Sequence, residues 1–399
     1  MRGIVRYLSS VVFVIGLIVV FFGFVASTPS YSQDCSQTRY DSHLQLQTTQ
    51  DAIYFVTNRT ESGNSFGNEL GPIHYGSVAV SFSEPPHIDH FFADMEGALQ
   101  WKIGDKSVLT ASGLITKVSQ HVNSGKPLDP MRPTDSVIVY IHGFADDFQD
   151  ALCRAAEIKH RARFEGSVVL FSWPASASLS WDRIMGAYKE YDHDRANAND
   201  VRTISALVEF LNALRQQVPA RRTVLVAHSM GNQLLMKAIK QLSTNNSDLY
   251  RAVVMLAPDL STKDLSADLT DLALRTKRAA LYVNTDDRAL KVSSFKNGGE
   301  RAGATDLVDP NGWMETVDIT LATKKKGDWI HHADHLDGTA LYDLFWNIVR
   351  DMPAECREER GLGFQAESQK PIWKLNVSDN NYDVRALKPS CRLPTDRRD

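Results

Sequence analysis

The sequence predicts an α/β fold built on a mostly parallel, doubly wound sheet with helices on both faces, and three observations carry that expectation. Five short β-rich runs are almost continuously apolar: SVIVYIHGF (136–144), SVVLFSWP (167–174), RTVLVAHS (222–229), AVVMLAP (252–258) and AALYVNT (279–285). Strands covered on both faces read this way. The segments between them carry helical spacing, clearest in Val201, Ile204, Leu207, Val208, Leu211 and Leu214, and again in Leu234, Leu235, Ala238, Ile239 and Leu242. Third, the residues directly after each run are polar, and the carboxyl ends of parallel strands are where such sheets gather functional groups.

At the amino terminus, Arg2 and Arg6 precede an uncharged stretch whose centre, Val11 to Ala26, is almost wholly apolar. Such a segment, 1–33, is a signal peptide or a signal anchor, and either one exports the rest of the chain, to the periplasm or to the outer side of an inner membrane. DAIYFVTNRT (51–60) and GSVAVSFSEPP (76–86) predict two strands added antiparallel at one sheet edge, METVDITLA (314–322) one more strand, and residues 339–350 a closing helix. Residues 34–353 form the main α/β domain, and 354–399, which lack periodicity, a surface extension. Cys153, in a helical pattern, is expected to be a buried thiol, leaving Cys35, Cys356 and Cys391 to supply one bridge in an oxidising compartment.

Composition excludes several classes. A chain of 399 residues that is 43% hydrophobic and 23% charged is neither disordered nor a multi-span membrane protein. A net charge of −4 offers no electrostatic attraction for nucleic acid, and no phosphate-binding glycine loop or dinucleotide fingerprint occurs in the sequence. No fixed-period repeat occurs either.

The chemistry-bearing motifs stand at strand ends. Ala227-His228-Ser229-Met230-Gly231 falls where a strand passes into a helix and resembles the nucleophile elbow G-x-S-x-G, with alanine at the first glycine. A tight turn there lifts the serine oxygen out of the sheet, and small flanking residues let strand and helix approach. His142-Gly143-Phe144 ends an earlier strand; the amides of Phe144 and Met230 would form an oxyanion hole, with His142 itself a structural residue. A serine nucleophile needs a base and a carboxylate that orients it, in the chain order Ser, acid, His. Asp287 is the favoured acid, with Asp286 and Asp259 as substitutes, since any aspartate at a strand end also serves as a helix cap. Within His331-His332-Ala333-Asp334-His335, His332 is the favoured base and His335 the substitute.

That histidine cluster also has the ligand types of a zinc site. It is similar to the H-x-H-x-D-H motif of metallo-β-lactamase-like hydrolases, although the first histidine of that motif falls on Ile330.

Together VYIHGFADDFQDALCRAAEI, VVLFSWPAS, VLVAHSMGNQLL, LAPD and YVNTDDRALKVS resemble a bacterial α/β-hydrolase family of unknown function over about residues 50–350. The resemblance implies the α/β-hydrolase fold and a triad on Ser229, Asp287 and a histidine of 331–335. The chain departs from the family pattern at its last element, where a glycine-histidine pair followed by serine and an aromatic is expected. The expected activity is that of an exported serine hydrolase of the esterase or lipase type, without cofactor or metal, acting on a small-molecule or lipid ester. Its rivals are a non-catalytic envelope scaffold of the same fold and a zinc hydrolase using the HHADH cluster.

Overall fold

Apolar runs that are buried on both faces can only be satisfied by a sheet with helices above and below, and the computed structural model is built in this way. It describes residues 35, 47–84, 100–124, 135–162, 164–176, 184–243, 249–307, 309, 311–323, 331–332, 338–344, 352–365, 372–376 and 387–391. The strands are β1 (Gln47–Ser62), β2 (Ser65–Glu84), β3 (Gln100–Leu109), β4 (Val137–Ile141), β5 (Ser167–Ser172), β6 (Thr223–His228), β7 (Ala252–Leu256), β8 (Ala279–Val283), β9 (Met314–Asp318), β10 (Gly363–Gln365) and β11 (Ile372–Leu375). They form one sheet in the order β10-β11-β9-β8-β7-β6-β4-β5-β1-β2-β3.

All five runs read as parallel strands lie at the centre of the sheet, and every residue of β4 to β8 is buried. Alternate side chains of β4 enter opposite cores: Ile138 and Tyr140 pack with helix α2 (Phe148–Arg161), while Val137, Val139 and Ile141 face the other layer. That second layer holds α1 (Ala111–Ser124), α4 (Val201–Arg215), α5 (Gly231–Gln241) and α6 (Thr262–Ala273) through their apolar stripes. Helix α3 (Ile184–Ala198) lies in the crossover between β5 and α4, and α7 (Arg288–Asn297) comes directly after β8. Caps fix the starts: Asp147 accepts from the Asp150 amide, Asp200 from Arg202 and Ser261 from Asp264.

Chain order reverses at the centre of the sheet. From β4 the chain moves outward to β5, then returns past β4 to β6, so β4 pairs with both. The crevice beyond the carboxyl ends of β4 and β6 is therefore the topological switch point, where open α/β sheets bind ligands.

Several expectations are corrected. The first two strands pair antiparallel with each other, but β1 runs parallel to β5, from Ile53 opposite Val168 to Thr57 opposite Ser172. β3 carries no signal strong enough to be read from sequence, because it is mostly exposed and polar; α1, with Leu114, Ile115, Val118 and Val122 on one face, went unread. The segment 314–322 is split into β9 and a helical turn at Thr320–Thr323, and the described part of the closing helix is Gly338–Asp343.

The carboxyl-terminal segment is no mere surface extension: β11 pairs parallel with β9 and β10 antiparallel with β11. A buried ion cluster ties this segment down. Arg357 takes Asp343 with a two-pronged bond (2.7 and 3.0 Å) and Glu315 of β9 at 2.6 Å, while the Tyr282 hydroxyl donates to Asp343 at 2.7 Å. The cysteine reading is also corrected. Cys153 is no free thiol; it is bonded to Cys35, and Cys356 to Cys391. Half-buried Cys153 on α2 meets a residue far upstream, a pairing set by packing and invisible to spacing.

Among the described residues no helix is long and apolar enough to cross a membrane; the apolar segment at 11–26 lies outside them.

Two outcomes are expected. Arg357→Ala takes the guanidinium from the buried Asp343 carboxylate, while Glu315 keeps Arg278, and lowers stability by about 3–5 kcal/mol in urea denaturation. Denatured without reductant, the oxidised protein takes up no thiol reagent, and peptide mapping recovers the pairs Cys35–Cys153 and Cys356–Cys391.

Candidate active site

At the end of β6 the chain turns so sharply that Ser229 adopts φ +50°, in the left-handed region that non-glycine residues rarely occupy. The surroundings hold it there. The Ser229 amide donates to the Leu256 carbonyl (2.9 Å), and its own carbonyl accepts from the amides of Asn232 (3.1 Å) and Asp259 (3.2 Å). The buried Asn232 side chain adds bonds to the carbonyls of Ala227 and Ser229, both 3.1 Å. Gly231 opens α5 directly against β4: a Cβ there would be driven into the carbonyl oxygen of His142 and lie 2.8 Å from that of Ile141. Only glycine permits this approach.

The HGF turn lands on the same spot. A Cβ on Gly143 would lie 2.9 Å from His228 Nδ1 and 3.1 Å from Ser229 Cβ, so the turn after β4 touches the serine. Among the described residues the Phe144 and Met230 amides donate to no acceptor. His142 is wholly buried, its ring stacked on Trp173 at 5.0 Å. Burial and the neighbouring Arg59 hold its pKa well below the usual histidine range. It is structural.

The late loop supplies the imidazole. His332 Nε2 lies 2.9 Å from Ser229 Oγ, and Nδ1 lies 2.7 Å from Asp287 Oδ2. Asp287 is completely buried and serves twice: Oδ1 accepts from the Leu290 amide (2.9 Å), capping α7, while Oδ2 takes the ring. The cap and the ring partner are one residue because the carboxylate has two oxygens. With Nδ1–H donated to Asp287, Nε2 presents a lone pair to the serine hydroxyl. His228 Nε2 donates to the His332 carbonyl (3.2 Å) and so helps hold the loop, and His331, at φ +59°, turns the chain before it. Burial of the imidazole acts to lower its pKa, but the Asp287 charge and hydrogen bond, with smaller contributions from Asp259 and Asp146, prevail and raise it above 6.5.

Among the described residues neither substitute acid hydrogen-bonds the His332 ring, which is taken by Asp287 and Ser229. The Asp286 amide donates to Asn284 Oδ1, the hydrogen bond of a tight turn. Asp259 is occupied by the hydroxyls of Tyr191 (2.7 Å) and Ser293 (2.6 Å) and by Arg301 Nε (3.4 Å). His335 and Asp334 lie outside the described residues. For a zinc site, both nitrogens of His332 are already engaged, and among the described residues no group of three His, Cys, Asp or Glu side chains has ligand geometry.

Sequence reasoning missed two residues near the site. Arg59, buried at the end of β1, bonds the turn after β4 through the Asp146 carbonyl (2.8 Å); its signal was an arginine inside an apolar strand run. Asp194 on α3 accepts from the Ala145 amide (3.3 Å), and nothing in its local sequence marks it.

A crossover sheet with a strained serine at its switch point, and a late histidine bonded to that serine and to a strand-end carboxylate, defines an α/β-hydrolase. The chain belongs to the family described as α/β-hydrolases of unknown function (DUF900), whose model matches residues 121–349, more than half of its length. Uncharacterized protein alr1448 of Nostoc sp. (strain PCC 7120) is 22% identical over 260 residues, 51% of this chain; the match spans 64% of that protein's length. Among solved structures, esterase PE8 is 16% identical (46% of this chain, 82% of that one, TM-score 0.27). A predicted CIB-like hydrolase from Thermoplasma acidophilum is 12% identical (69% and 94%, TM-score 0.30). An esterase of the bacterial hormone-sensitive lipase family is 15% identical (61% and 92%, TM-score 0.30). Scores this low carry no argument; the assignment rests on strand order and the family match.

An NMR titration of the His332 ring should find its pKa above 6.5. In Asp287→Asn, which keeps the helix cap and removes the charge, the pKa is lower than in the wild type.

Proposed function

We propose that this α/β-hydrolase is an exported serine hydrolase that cleaves carboxylic esters through an acyl-enzyme. The observation that carries the reading is the unbroken line Ser229 Oγ, His332 Nε2, His332 Nδ1, Asp287 Oδ2, with contacts of 2.9 and 2.7 Å. These are hydrogen-bond distances for a nucleophile, its base and the group that orients the base.

In the first half-reaction Oγ attacks the ester carbonyl carbon while Nε2 takes the hydroxyl proton. Asp287 holds the imidazolium that forms. The carbonyl oxygen, now an anion, is received by the amides of Phe144 and Met230, fixed dipoles that need no reorganisation as charge develops. The intermediate collapses, the carbon–alkoxide bond breaks, and Nε2 returns the proton to the departing alcohol. Water then attacks the acyl-serine, losing its proton to Nε2, and the acid leaves as Oγ recovers that proton. The chemistry needs no cofactor. The substrate class is a small-molecule or lipid ester.

Export is supported by two features. A basic start and an apolar stretch precede residue 33, and all four cysteines are paired, as suits an oxidising compartment outside the cytoplasm.

A fluorophosphonate probe is expected to label the purified chain at Ser229 and to leave Ser229→Ala unmodified. Absence of labelling, under conditions where a control esterase reacts, would mean a fold retained without the activity. Since the base works only unprotonated and Asp287 holds its pKa above 6.5, kcat/KM falls as pH drops through a midpoint above 6.5. His332→Ala lowers kcat by about 10⁴-fold or more.

A further inference from the structure

The six residues between β4 and α2 have no ladder partner, yet they carry the amide that the proposed oxyanion hole needs. Whatever holds this turn therefore sets how well the hole is preorganised. Two buried side chains of opposite charge reach it, one from β1 and one from α3.

Arg59 comes from β1. Its strand pairs with β5 up to Thr57 opposite Ser172 and continues paired with β2, Arg59 opposite Leu70, so Arg59 stands just beyond the carboxyl end of β5. Its Nη2 donates to the Asp146 carbonyl (2.8 Å) and to His142 Nε2 (3.3 Å), two points flanking Phe144. Its remaining donors are spent on the scaffold: Nε on Ser172 Oγ (2.9 Å), and Nη1 on the Ala175 carbonyl (2.9 Å), Asn68 Oδ1 (3.0 Å) and the Gly67 carbonyl (3.2 Å). Among the described residues no carboxylate oxygen lies within 4.0 Å of it. Burial draws its pKa down to about 10, with Asp147, Asp194, Asp146 and Asp150 opposing, so it stays charged at neutral pH. Burying a guanidinium without a carboxylate in contact costs free energy that an apolar side chain of similar volume avoids, so its contribution lies in what it holds.

Asp194 comes from α3 and is also fully buried. It accepts from the Ala145 amide (3.3 Å), a residue held at φ +58°, and from the amide (2.9 Å) and hydroxyl (2.8 Å) of Ser176 after β5. One side chain thus grips the turn by its carbonyl, the other by its N–H.

We propose that Arg59 and Asp194 are positioning residues that clamp the 142–146 turn and aim the Phe144 amide at the oxyanion, so that they act on the transition state rather than on substrate binding. The inference rests on the serine-hydrolase reading. Arg59→Lys keeps the charge and loses the planar fork; Asp194→Asn keeps an acceptor and loses the charge. A donor displaced by about 1 Å loses roughly 10²-fold in rate.

The test is ester hydrolysis by the full chain carrying Arg59→Lys, Asp194→Asn, or the milder Asn68→Ala, which removes one anchor of Nη1. All three are compared with wild type for kcat, KM, melting temperature and the Ki of a trifluoromethyl ketone, which mimics the tetrahedral intermediate. The expected result is a kcat lower by about 10- to 100-fold for the first two, and a smaller drop for Asn68→Ala. KM should stay within about twofold, and Ki should rise in step with the loss in kcat/KM. If the first two variants do not fold, Asn68→Ala decides alone. Unchanged kcat and Ki in folded variants, or a loss confined to KM, overturns the clamp and leaves the serine-hydrolase reading standing. Failure of wild type to hydrolyse any ester or to take the fluorophosphonate overturns the serine-hydrolase reading itself, and the clamp falls with it.

Discussion

The close approach of α5 to the end of β4 is the constraint on which the rest of the site depends. It exists because residue 231 has no side chain to collide with the carbonyls of Ile141 and His142. It brings with it the positive φ of Ser229, the bonds through which Asn232 and Leu256 pin the turn, and the contact of Gly143 with the serine. The strain at Ser229 is of the order of 1–3 kcal/mol and persists only because several neighbours over-determine it. Those neighbours hold the hydroxyl where a distant loop can reach it.

That loop is coupled to the fold through a carboxylate with two tasks. Asp287 starts α7 with one oxygen and orients His332 with the other, so the geometry of the imidazole is tied to the seating of a helix on β8. A second tie comes from the elbow itself, since His228, next to the nucleophile, donates to the His332 backbone. The base is thus positioned by the strand end that bears the serine and by the one that bears the acid. The periphery is secured differently. Two disulfides and the ion cluster around Arg357 close the amino- and carboxyl-terminal segments onto the domain.

The legible parts of the sequence were those where a local pattern has one physical solution. Five apolar runs with helical spacing between them admit little besides a parallel, two-faced sheet, and Ala227 to Gly231 at a strand-to-helix passage admits little besides a sharp turn. The choice of Asp287 over Asp286 and Asp259 was open, because all three stand at strand ends and all suit helix caps. What separates Asp287 from Asp259 is the partner: Asp259 is taken up by Tyr191, Ser293 and Arg301, while Asp287 bonds the ring. β3, β10 and β11 went unread since they are short or mostly exposed at the sheet edges, where the pattern of burial is weakest.

By itself the sequence determined the doubly wound class, the order of its central strands along the chain and the serine at the elbow, since each depends on periodicity or on a tight turn between neighbours. Only the tertiary structure decided the partners: which aspartate meets the imidazole, which cysteines pair, and that Arg59 and Asp194 converge on a turn more than forty residues from either. The physical reason is range. Local patterns record what a segment must bury, whereas the direction of a side chain across the fold depends on crossings and close approaches that no segment encodes alone.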